Sequence, residues 1–171
     1  MALYRVKQFY WAISSFFKKV DYKYINEHLS PDEIKFFSRL KKGEKLHCIR
    51  VSKDASSFYE ENLNCFSNKS ITKERIIKLG LLHDIGKIKQ PLSVIDKSIL
   101  VILHKITKGD LKKYSNFKKV DIYYNHPIEG VKILKEFGYD DDFLFAVANH
   151  HSKIQGDNET LKILSYADNK N

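Results

Sequence analysis

GLLHDIGKIKQP, residues Gly80 to Pro91, decides how this chain is read. The apolar segment Ile76 to Leu82 has the composition of a core helix, yet it runs directly into an imidazole, a carboxylate, a glycine and an ammonium group at His83, Asp84, Gly86 and Lys87. Thr72 is suited to cap this helix, and Gly86 reads as its C-terminal glycine. Chemistry therefore sits at the end of an element anchored in the core, and the rest of the chain is searched for its partners.

Outward from this stretch the pattern is helical throughout. Tyr4, Val6, Phe9, Ala12, Ile13, Phe16 and Phe17 recur near a 3.6-residue spacing and predict an amphipathic helix over 3–19. In LSPDEIKFFSRL, Ser30, Pro31 and Glu33 form a capping-box start for a second helix that is expected to stop near Gly43. Leu46, Ile49, Val51, Phe58 and Leu63 suit a third helix from Glu44, the Thr72 helix is the fourth, and Pro91 to about Ile106 is the fifth.

The lysine-rich TKGDLKKYSNFKKVDIYYN reads as a connection with at most a short helix. Pro127 then marks a helix start and Gly138 its end, and His126, as the residue before a proline, is expected in extended geometry. DDDFLFAVANHH places three acids where a helix dipole favours them, and NETLKILSYADNKN gives a final helix. No segment alternates long enough to require a sheet, so the expected fold is all-α, a single-domain helical bundle of about six to eight helices.

Composition sets the outer bounds. The chain has 171 residues with 43% hydrophobic and 13% aromatic content, enough to close one core, and only 7 glycines and 3 prolines. Two cysteines, Cys48 and Cys65, offer no disulfide framework, and neither a signal peptide nor a bilayer-length apolar run is evident, which predicts a cytoplasmic protein without a membrane anchor. The net charge of +9 suits an anionic partner. Lysines are spread along the whole chain, however, and aromatics in KKYSNFKKVDIYY read as well as a core-covering segment, so nucleic acid is not the expected partner.

Five of the seven histidines, His47, His83, His126, His150 and His151, fall at helix ends or beside acids, whereas His28 and His104 read as surface or satisfied histidines. Imidazole nitrogen combined with carboxylate oxygen suits first-row transition ions rather than Mg or Ca. Neighbours on a helix project about 100° apart, so His83 and Asp84 straddle one ion, or Asp84 uses its second oxygen to reach another. The His150–His151 doublet has the same geometry, and two doublets suggest two ions.

The ordered set of His47 in HCIRVSKDA, with Val51 and Ala55 four and eight residues on, His83 and Asp84 in LLHDIGK, His126 in HPIEGVKIL, the doublet His150–His151, and Asp168 in ILSYADN resembles the HD superfamily of metal-dependent phosphohydrolases, in particular its HDIG-type branch. The resemblance spans 45–171 and leaves 1–44 as a helical extension. It implies that His47, His83, Asp84 and Asp168 hold a first divalent transition metal ion, and that Asp84 bridges to a second held by His126, His150 and His151. Iron or manganese is favoured, with nickel, zinc or cobalt also suiting these donors.

Implied with it is hydrolysis of a phosphoester or phosphoanhydride bond by a metal-activated water. Asp84 and Lys87 are the catalytic residues, Lys87 as a point charge on the phosphate. Departures within the family narrow the substrate. Cyclic-dinucleotide phosphodiesterases carry a Gly-Tyr-Pro signature that is missing here, and a Glu where this chain has Ser152. Short HD hydrolases that split diadenosine tetraphosphate end in a motif resembling LKILSYADN, and the 17 positions from His151 to Asp168 match their spacing better. A small phosphate-containing anion, a nucleotide or dinucleoside polyphosphate, is the expected substrate. The alternatives are an HD-type di-iron oxygenase and a non-catalytic HD signalling module, and the oligomeric state is left open.

Overall fold

The computed structural model describes residues 18–152 and 157–171. Its described residues form eight α-helices: α1 Tyr22–His28, α2 Pro31–Phe37, α3 Lys42–Glu61, α4 Lys73–Leu82, α5 Val94–Ile106, α6 Lys118–Glu136, α7 Asp141–Asn149 and α8 Glu159–Lys170. Three 3-10 turns, Leu63–Cys65, Ile85–Lys89 and Asp110–Tyr114, link them. No strand occurs among the described residues, in keeping with the all-α expectation, and no described helix is long and apolar enough to cross a membrane. The helix expected over 3–19 lies almost wholly outside the described residues.

The centre of the fold is the pairing of α3 with α4, against which α8 packs. Val51 and Ala55 of α3, Ile76, Leu79 and Leu82 of α4, and Ile163, Leu164 and Ala167 of α8 are buried together with Phe143 of α7. Gly80 allows the close approach of the first pair: a β-carbon there would stand 2.4 Å from Ser52 Cα. Ser52 completes the contact by donating through Oγ to the Ile77 carbonyl at 2.8 Å, so a small residue and a satisfied hydroxyl replace apolar interdigitation at the crossing.

Several predicted boundaries move. The second helix ends at Phe37, and Gly43 lies inside α3 rather than after α2. A short helix, α1, capped by Asp21, precedes the helix that Ser30 caps. The last part of the expected connection before His126, from Lys118, is the beginning of α6, so Pro127 lies within the helix and not at its first turn. Leu111, Val120 and Leu100 form a small second core there, with Leu92, Tyr123 and Tyr124 packed on it. Burial of that face outweighs the local break that proline favours.

Gly86 is the remaining correction. Helix α4 ends at Leu82, and Gly86 lies in the middle of the 3-10 turn without the positive φ of a helix-terminating glycine. Gly138, by contrast, ends α6 at φ +75° as expected. The capping boxes of Ser30 with Glu33 and of Ser93 with Asp96 are both formed.

Candidate metal centre

Five helices deliver the side chains to one place. His47 comes from the second turn of α3, His83 and Asp84 from the end of α4, His126 from the middle of α6, His150 and His151 from the end of α7, and Asp168 from the last turn of α8. His83, Asp84, His126, His150 and Asp168 are buried, His47 is half-buried and His151 is exposed. The donor atoms form two groups, His47 with His83 and Asp168, and Asp84 with His126, His150 and His151, each within 4.8 Å across.

Asp84 lies between the groups and turns a different oxygen to each. Its Oδ2 is 3.6 Å from His47 Nε2 and 3.5 Å from His83 Nε2. Its Oδ1 is 3.3 Å from His126 Nε2 and 3.8 Å from His150 Nε2. Asp168 places Oδ1 3.1 Å from His47 Nε2 and 3.7 Å from His83 Nε2, and Oδ2 3.6 Å from His151 Nδ1. Of the two arrangements the His-Asp doublet allows, the one that uses both carboxylate oxygens is present.

Backbone carbonyls orient the rings. His83 Nδ1 donates to Gly80 O at 2.8 Å, His126 Nδ1 to Ile122 O at 3.1 Å, and His150 Nδ1 to Val147 O at 2.6 Å. A carbonyl accepts only from a protonated ring nitrogen, so each neutral imidazole presents an unprotonated Nε2 inward. These three Nε2 atoms and Asp84 Oδ1 are buried without a hydrogen-bond partner. Lone pairs facing lone pairs in a dry site repel unless a cation lies between them. The donor set therefore fits divalent transition ions, with the outer hydrogen bonds that hold ligating histidines elsewhere.

The electrostatics agree with that fit. Burial holds His83 below its ordinary value, and burial together with His151 and His83 holds His150 well below it. His151 is pushed down to about 4, by burial in the first place. Burial works to raise Asp84, but Lys87 and then the surrounding imidazoles outweigh it, and the carboxyl stays well below its usual range. Asp168 is likewise depressed, His47 and His83 overcoming its burial. Neutral imidazoles and ionised carboxylates are the protonation states that bind a cation.

Lys87 lies beside the centre, its Nζ 2.5 Å from Asp84 Oδ2. On its other side is Glu44, a buried carboxylate in the first turn of α3 that also pairs with Lys97 of α5. Sequence reasoning did not single out Glu44 or Lys97, although Glu44 precedes His47 by three residues and so shares a helix face with it. His28 and His104 lie outside both groups: His28 pairs with Glu74 at 2.9 Å and His104 bonds Tyr124 Oη at 2.7 Å.

A family model, described as HD domain, matches residues 46–170. No curated protein matches the chain, and no solved structure does. The match covers the whole stretch from His47 to Asp168 and most of the described fold. The chain belongs to the HD domain family, a superfamily of metal-dependent phosphohydrolases whose domains bind divalent metals through His and Asp clusters of this kind.

Proposed function

We propose that this protein hydrolyses a phosphoester or phosphoanhydride bond of a nucleotide-like substrate at a centre of two divalent ions, iron or manganese by preference. His47, His83, Asp84 and Asp168 would hold one ion, and Asp84, His126, His150 and His151 the other. The observation that carries this reading is the orphaned set of buried donors, His83 Nε2, His126 Nε2, His150 Nε2 and Asp84 Oδ1, aimed at one another with nothing to satisfy them. Bound there, divalent ions supply Lewis-acid polarisation of phosphoryl oxygens and a water acidified to near neutral pH.

The chain's own groups contribute orientation and charge. Carbonyls of Gly80, Ile122 and Val147 fix three imidazole tautomers, so no proton has to leave those Nε2 atoms before they act as ligands. Lys87 stays protonated because Asp84 outweighs its burial, and it offers a positive point charge to a phosphate beside the centre. A side chain that can act as nucleophile is not needed for this chemistry. The specific substrate follows from the family resemblance and the spacing from His151 to Asp168, which favour a nucleotide or dinucleoside polyphosphate over a cyclic dinucleotide.

The test is metal analysis of the purified protein combined with phosphate release from a panel of mononucleotides, dinucleoside polyphosphates and cyclic dinucleotides. Stoichiometric iron or manganese with turnover of one of the first two classes is expected. Consumption of dioxygen without phosphate release would overturn the hydrolase reading in favour of an oxygenase.

A further inference from the structure

Lys87 sits between two carboxylates. Its ammonium is 2.5 Å from Asp84 Oδ2 and 3.7 Å from Glu44 Oε2. Glu44 is only 8% exposed at its side chain, and its other oxygen pairs with Lys97. Charges thus alternate from the centre outward: Asp84, Lys87, Glu44, Lys97.

Asp84 Oδ2 is also the oxygen that faces His47 and His83. An ammonium and a divalent cation sharing one carboxylate oxygen repel strongly in a site this dry. An ion bound between Asp84, His47 and His83 therefore needs the ammonium drawn to another anion, and Glu44 Oε2, 3.7 Å from it, already pairs with it. Lys97 fixes that acceptor by holding the second Glu44 oxygen. We infer that Glu44 is a positioning residue that takes the Lys87 ammonium from Asp84 when metal binds, and that Lys97 anchors Glu44 for this task. The inference rests on the metal-centre reading above and adds to it a residue that touches no ion.

The experiment is a double-mutant cycle read by calorimetric titration of Mn2+ into metal-stripped protein: wild type, Glu44→Gln, Lys87→Met and the combination. Glu44→Gln is expected to weaken Mn2+ binding about tenfold, a usual size for coupled charged neighbours, and to have no effect when Lys87 is already Met. Lys97→Met, which leaves the buried carboxylate in place, is expected to weaken binding about threefold and likewise only when Lys87 is present. Glu44→Gln and Lys97→Met that both bind like wild type would overturn the inference. So would a loss that persists in the Lys87→Met background, since Glu44 would then act on the ion directly or through the fold. If wild type itself takes up neither Mn2+ nor, titrated the same way without air, Fe2+, the metal-centre reading falls and this inference with it.

Discussion

Gly86 lies so close to the backbone of His126 that a β-carbon on the glycine would stand 2.0 Å from the His126 carbonyl oxygen and 2.5 Å from the amide nitrogen of Gly130. The glycine in the His-Asp stretch thus serves the docking of the 3-10 turn on α6 and brings Asp84 within reach of His126. Both obstructing atoms are backbone and cannot rotate away. Gly86→Ala is expected to cost about 3 kcal/mol or more, the upper end of what overpacking does. Gly138→Ala meets nothing within 4 Å and carries only the strain of φ +75°, so about 1 kcal/mol is expected there. Thermal melts of the two variants check the order, and only Gly86→Ala should also lower the metal content.

Asp84→Ala removes the buried carboxylate that lies between the two histidine groups and is expected to abolish metal retention and turnover together. Elemental analysis and phosphate release measure the two. His104→Ala is the control: the ring lies at the surface, bonded to Tyr124, and its loss should leave both readouts near wild type. A fully active Asp84→Ala would contradict the mechanism.

Stability of the metal-stripped protein should fall as pH drops from 7 to 5. Burial keeps His83 and His150 neutral and pushes His151 down to about 4, while the unfolded chain protonates its histidines near pH 6.5. Between those values the unfolded state binds more protons, so unfolding free energy rises with pH through this window and is fully present above it. His151 is half exposed, so its share is tempered by solvent. Asp84 and Asp168, both depressed, lose their contributions only below about 3.8. Melting temperature against pH, with and without Mn2+, tests this: saturating metal should raise every value and move the acid decline to lower pH.

The sequence carried the helical pattern, the capping box at Ser30 and the identity of all seven converging side chains, because helix periodicity, caps and ligand chemistry are local properties. Tertiary packing decided the rest. Pro127 signals a helix start in isolation, but burial of Val120, Ile122 and His126 extends α6 two turns ahead of it. Gly86 looks like a helix terminator when only its neighbours are considered, and its true constraint is the backbone of another helix forty residues on. Glu44 escaped notice because an acid in a helix's first turn usually serves the dipole, and only folding reveals it buried against Lys87.

Asp142 ties the segment bearing His150 to the helix bearing Asp168. Its Oδ1 accepts from Asn158 Nδ2 at 2.6 Å, and its Oδ2 from Thr160 Oγ1 at 2.5 Å and Arg75 Nη2 at 3.3 Å. Asp142→Ala leaves the buried Thr160 hydroxyl without this acceptor, while Arg75 keeps its two bonds to Asp140, and about 2 kcal/mol of stability is expected to be lost. Chemical denaturation measures the loss.

Asp168 stands in the last turn of α8, where a helix frays unless its end is held. Asp54 of α3 supplies the hold: it accepts from Lys170 Nζ at 2.6 Å and from Asn171 Nδ2 at 2.7 Å, while Arg50 Nε donates to Asn171 Oδ1 at 3.1 Å. This clasp joins α8 to α3 beside His47, and so sets the distance between Asp168 and His47 without touching either. Asp54→Ala is expected to leave the fold intact, since the α8 core of Leu161, Ile163 and Leu164 is untouched, and to weaken Mn2+ binding about tenfold, the lower range for residues that orient metal ligands. Calorimetric titration beside a circular dichroism melt separates the two effects. A variant with wild-type affinity would mean that packing of Ala167 and its neighbours alone keeps the last turn closed over the centre.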